Sequence, residues 1–76
     1  MSALVTLSSE LTEAILQQYG ELQKLNLSSN GLQNIENIAR LNTLQKLNLS
    51  KNDLIDIRPL AALLSLKELD LSGNRI

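Results

Sequence analysis

Residues 22–43 read LQKLNLSSNGLQNIENIARLNT, and residues 44–65 read LQKLNLSKNDLIDIRPLAALLS. Aligned without a gap, the two stretches agree at 12 of 22 positions. Residues 66–76, LKELDLSGNRI, open the same pattern a third time. Each copy begins L-x-x-L-x-L-x-x-N-x-L/I. The apolar set is Leu22, Leu25, Leu27 and Leu32, then Leu44, Leu47, Leu49 and Leu54, then Leu66, Leu69, Leu71 and Ile76. A fixed period of this length marks a repeat architecture: one unit cannot bury its apolar side alone, and stacking supplies the core.

The spacing inside a unit assigns its parts. In L-x-L, alternation puts Leu25 and Leu27 on one face of a short strand and Lys24, Asn26 and Ser28 on the other. Strands one repeat apart then pair in parallel, about 4.8 Å apart, into a curved sheet. Asn30, Asn52 and Asn74 stand where the chain turns behind each strand. An asparagine amide carries both donor and acceptor groups, so this column is expected to be a structural ladder, bonding backbone of its own unit and of the next. The second half of each unit places apolar residues about three apart: Leu32, Ile35, Ile38, Leu41, then Leu54, Ile57, Leu60, Leu63. That period suits a short 3₁₀ return, and Pro59 fits the start of one.

Composition removes several classes of function. The 76 residues include 19 leucines but no Cys and no His, so there is no thiol nucleophile, no imidazole base and no zinc ligand set. Cofactors and metals are therefore not expected. Seven Lys plus Arg against eight Asp plus Glu leave a net charge of −1, with no cationic field for nucleic acid or anionic lipid. No apolar run approaches the roughly 20 residues that span a bilayer, so no membrane contact is expected. Met1 to Leu7 has no basic n-region and too short an apolar stretch for a signal peptide, which points to a cytoplasmic or otherwise intracellular protein.

The L-x-x-L-x-L-x-x-N pattern, with a second half of L-x-x-I-x-x-I/L-x-x-L, resembles the short, 22-residue class of leucine-rich repeats. That class includes a nuclear regulatory subunit of protein phosphatase 1, an axonemal dynein light chain and the bacterial internalins. The stretch Asp53-Leu54-Ile55-Asp56-Ile57-Arg58-Pro59-Leu60-Ala61 looks notably like the internalin variant. The resemblance covers 22–76 strongly. It implies an α/β fold, a right-handed solenoid with a parallel concave sheet, divided as 22–43, 44–65 and a partial unit 66–76. It also implies a non-catalytic scaffold that binds another protein through the concave face.

Residues 1–21 do not fit the repeat register and read as an N-terminal capping segment with a helix. Ser8 or Ser9 suits the N-cap, Glu10 and Glu13 suit the first turn, and Gly20 suits the end. Leu11, Ile15, Leu16 and Tyr19 supply an apolar face at helical spacing.

The candidate partner-binding residues are the outward strand positions Lys24, Asn26 and Ser28; Lys46, Asn48 and Ser50; and Glu68, Asp70 and Ser72. Lys46 beside Glu68 is expected to form an exposed ion pair. Glu68 and Asp70 form a carboxylate pair without a pocket or a nucleophile, so no enzyme is read from them. Asn26-Leu27-Ser28 and Asn48-Leu49-Ser50 are formal glycosylation sequons produced by the repeat itself. As an alternative function, the chain would be an array fragment. No returning segment covers Leu66, Leu69 and Leu71, and two such ends would pair about a two-fold axis as a homodimer through the C-terminal edge.

Overall fold

The computed structural model describes residues 7–76. The elements in chain order are α1 (Ser9–Tyr19), β1 (Lys24–Asn26), the 3₁₀ segment η1 (Glu36–Arg40), β2 (Lys46–Asn48), a second 3₁₀ segment η2 (Arg58–Ala62) and β3 (Glu68–Asp70). The fold is α/β, with a three-stranded parallel sheet in the order β1-β2-β3. Lys24 pairs with Lys46 and Lys46 with Glu68, a shift of one whole repeat at each step. The returns stack likewise, η1 against η2. The strands are shorter than the alternation suggests, ending at Asn26, Asn48 and Asp70, so Leu27, Leu49 and Leu71 follow them.

The core lies between sheet and returns. Leu32, Ile35, Ile38, Leu41, Leu44, Leu49 and Leu54 are sealed from solvent, and Leu27, Leu47, Leu60 and Leu63 nearly so. Each 3₁₀ segment buries its third residue, Ile38 or Leu60, against this core. Pro59 opens η2 where no donor is required.

Asn52 is buried and binds five backbone groups. Its Nδ2 donates to the carbonyls of Leu49 and Ser50 in its own unit and of Leu27 in the preceding one. Its Oδ1 accepts the N–H groups of Asn30 and Leu32, both at 3.0 Å. Asn74 repeats the arrangement, donating to Leu49 and Leu71 and accepting from Leu54. The ladder thus reaches back to the preceding unit, not forward to the next. The strand that is already laid down presents its turn carbonyls toward the incoming asparagine. Among the described residues the Asn30 side chain donates to the carbonyls of Leu27 and Ser28, in its own unit.

In the position before each ladder asparagine the backbone is left-handed, at φ 58° in Ser29, 57° in Lys51 and 72° in Gly73. Only Gly73 suits that region without strain. Nothing in the residue types of Ser29 and Lys51 signals it.

Helix α1 starts at Ser8, whose Oγ accepts the Leu11 N–H at 3.1 Å. It ends at Gly20, at φ 60°, which donates to the Leu16 carbonyl. Leu11, Ile15 and Leu16 pack on the core, and Glu13 pairs with Arg40 of η1. Leu7 is fully buried beside them, donating to the Asn34 carbonyl and accepting from Asn37 Nδ2. Two details correct the sequence reading. Tyr19 is 58% exposed and leaves the apolar face, whereas Thr12 is fully buried within it. The Thr12 hydroxyl donates to the Ser8 carbonyl at 2.8 Å, so it enters the core with its polar group satisfied.

Asn52→Ala strips buried N–H and carbonyl groups in two units at once and is expected to cost at least about 3 kcal/mol. Asn30→Ala, whose side chain bonds two carbonyls among the described residues against five groups for Asn52, should cost less than half as much. Urea titration of both variants measures the difference, and equal losses would contradict the inter-unit ladder. Ser29→Gly should stabilise by roughly 0.5–1 kcal/mol, the relief of left-handed strain less the added chain entropy. The same titration reads it.

Candidate protein-interaction face

The parallel register turns repeat positions into columns. One column across the sheet is Lys24, Lys46, Glu68, and the next is Asn26, Asn48, Asp70. Together with Leu25, Leu47 and Leu69 they line an open groove of about 480 Å³ that crosses all three strands. Lys46 Nζ stands 3.4 Å from Glu68 Oε2, an exposed pair worth at most about 1 kcal/mol. Lys24 has no carboxylate within 4 Å among the described residues. The groove is therefore cationic at β1 and anionic at β3.

The second column is less free than the first. Asn26 Oδ1 accepts the Ser28 N–H and Asn48 Oδ1 the Ser50 N–H, both at 2.9 Å. Asp70 Oδ1 accepts the Ser72 N–H and also the Ser72 hydroxyl, at 2.7 Å. Those bonds, the hydroxyl's first, hold the Asp70 carboxyl below its ordinary pKa. Each side chain thereby closes its own turn, and what it offers a partner is its remaining polar edge. The serine column departs further from expectation. Ser28 is half-buried, Ser72 is exposed, and Ser50 is buried at 8% because units stack on both sides of it. Ser50 is thus not part of an open face.

A second groove, of about 610 Å³, lies on the return side between Gln33, Asn34, Ile35, Glu36, Asp56, Arg58 and Pro59. The strand pattern gives no hint of it. Its signal is the Asn/Asp at matching repeat positions 34 and 56. Asn34 Oδ1 accepts the Glu36 N–H and Asp56 Oδ1 the Arg58 N–H, each fixing the start of a 3₁₀ segment. The Arg58 guanidinium also grips both Asp56 oxygens, at 2.7–3.1 Å. The Asp56 and Arg58 charges therefore satisfy each other, Glu36 is the one lining charge without an ion pair among the described residues, and the groove touches two units instead of three. Although smaller, the sheet groove presents more unpaired charge to a partner.

Among the described residues no cluster of three or more His, Cys, Asp or Glu is placed to hold a metal ion. No described helix is long and apolar enough to cross a membrane. Glu68 and Asp70 are both exposed, on one strand.

Residues 21–41 match the family model described as Leucine Rich Repeat, and residues 42–76 match that described as Leucine Rich repeats (2 copies). The chain belongs to the leucine-rich repeat proteins. A comparison with curated proteins found no match. Leucine-rich repeats are generally protein-interaction modules and are typically not enzymes. In this leucine-rich repeat chain the matched residues contain all three strands and both 3₁₀ returns, while α1 lies outside them.

The Arg58 side-chain hydrogen bond brings the Asp56 carboxyl from 3.8 down to about 2. A depressed folded pKa means the clasp contributes fully above about pH 4 and is lost as pH falls through about 2. An NMR titration of the Asp56 carboxyl should show its midpoint near 2, moving up toward 3.8 in Arg58→Ala. An unchanged midpoint in that variant would remove Arg58 as the cause.

Proposed function

We propose that this chain is a non-catalytic scaffold that binds another protein through the outer face of its parallel sheet. The observation that carries the proposal is the groove across β1, β2 and β3, with Lys24 and Lys46 toward one end and Glu68 and Asp70 at the other. Fixed strands hold these side chains in columns, so a partner meets a pre-arranged charge pattern without ordering a loop. The face lacks Trp, Tyr and Arg, the usual anchors of tight interfaces, which favours a polar, moderate-affinity complex. In this reading α1 closes the core at the first unit, since Leu11, Ile15 and Leu16 pack there. The 22-residue spacing supports placing the chain in the short class of repeats, with the units stacked as a solenoid. An intracellular setting belongs to the same proposal.

A photo-crosslinking residue in place of Asn48 should capture a partner in cells, whereas one in place of Asn42, outside the groove, should not. Replacing Lys24, Lys46 and Glu68 together by Ser should weaken the captured complex at least tenfold. Stability should move by no more than roughly 0.5 kcal/mol per site, as expected for exposed positions. Equal crosslinking from both positions, or a complex indifferent to the triple replacement, would refute the sheet face as the binding surface.

A further inference from the structure

We propose that the chain joins head to tail with a second copy of itself, the outer edge of β3 in one copy pairing in parallel with the outer edge of β1 in the next. The backbone supplies the first argument. In a parallel sheet alternate residues direct their N–H and C=O to opposite sides. Leu27 N–H donates to the Asn48 carbonyl at 2.8 Å and Lys46 N–H to the Gln23 carbonyl at 3.0 Å. One unit on, Leu49 N–H donates to Asp70, Lys51 N–H to Ser72, and Glu68 N–H to Gln45. The same alternation turns the Lys67 carbonyl and the Leu71 and Gly73 N–H groups away from β2. At the opposite edge it turns out the Lys24 N–H and the Asn26 and Ser28 carbonyls. Among the described residues none of these six groups has a backbone partner. They are the two halves of one ladder: Lys24 N–H fits Lys67, Leu71 N–H fits Asn26, and Gly73 N–H fits Ser28. Among the described residues helix α1 packs on η1 and not on β1.

Charge selects this geometry over a two-fold one. Pairing two β3 edges about a two-fold axis would set the carboxylates of Glu68 and Asp70 in one copy against those of the other, and like charges directly opposite one another are destabilising. Parallel pairing with β1 instead brings Glu68 beside Lys24, as Glu68 already stands beside Lys46 within the chain. Burial agrees. Leu47 and Leu49, with strands on both sides, are 3% and 0% exposed, whereas Leu69 on the free edge is 41% exposed and Leu71 half-buried. A strand on that edge gives Leu69 and Leu71 the neighbours that Leu47 and Leu49 have.

A head-to-tail join leaves one free edge at each end, so assembly continues past the dimer. Sedimentation velocity of the 76-residue chain, from about 10 μM to about 1 mM, should show mass rising through dimer and trimer. Amide exchange at Leu71 and Gly73 should slow over the same range. Glu68→Lys and Lys24→Glu each set like charges at the join and should weaken association roughly tenfold. Mixing the two variants restores opposite charges at every junction and should restore association. Circular dichroism melting confirms that each variant is folded; if one is not, the other carries the single-variant test alone. A chain that stays monomeric throughout, one that stops at a dimer, or variants that associate as the parent does would each overturn the proposal.

Discussion

The side-chain amide of Asn52 is the constraint on which the other parts depend. A strand followed at once by a tight turn leaves carbonyls and N–H groups facing the interior, where each unpaired group costs more than a net hydrogen bond returns. One amide meets five of them, drawn from two adjacent units. Aspartate would supply the acceptor but no donor, and serine has too short a reach and too few donors. The residue type is thereby fixed by the backbone it serves. Since that backbone recurs with every repeat, so does the asparagine.

That bonding pattern makes stability a property of neighbours. The middle unit, with units on both sides, holds its asparagine, its serine and its strand leucine buried at 5%, 8% and 3%. The corresponding residues of the flanking units, Asn30, Ser28 and Leu25 or Asn74, Ser72 and Leu69, are all more exposed. Identical sequence positions thus differ in energy according to what stacks on them, the expected behaviour of a one-dimensional array. Ion pairs add little here. The four that join described residues are at the surface, and they position side chains more than they hold the core.

Most of the fold was legible because its causes repeat. The leucine columns, the parallel register, the 3₁₀ returns and the asparagine positions are each written two or three times, so a chance pattern is readily told from a required one. What was not legible occurs once or is carried by backbone alone. Counting apolar residues at helical spacing includes Tyr19 and omits Thr12. Tyr19 is the last residue of α1, just before the chain turns at Gly20, and stays at the surface while Leu11, Ile15 and Leu16 pack on the core. Thr12 is hidden from such a count because its polarity is cancelled locally by the Ser8 carbonyl. The left-handed backbone at Ser29 and Lys51 is imposed by the turn and its asparagine, and residue type gives no sign of it.

The candidate face was legible in a narrower sense. Alternation alone placed Lys24, Lys46 and Glu68 outward and in one column, but it could not show that Ser50 is covered or that Asn26, Asn48 and Asp70 are partly spent on their own turns. The consensus residues of a repeat describe what every unit must do to stack, so they say little about what one chain binds. Information about binding therefore resides in departures from the repeat at outward positions. Here those departures are the change from lysine to glutamate along 24, 46 and 68, and from asparagine to aspartate along 26, 48 and 70. Both fall on the same strand and have the same sign. A polar sheet face that the repeat would have left nearly uniform thereby acquires a direction, from cationic at β1 to anionic at β3, and whatever docks there must match it end for end.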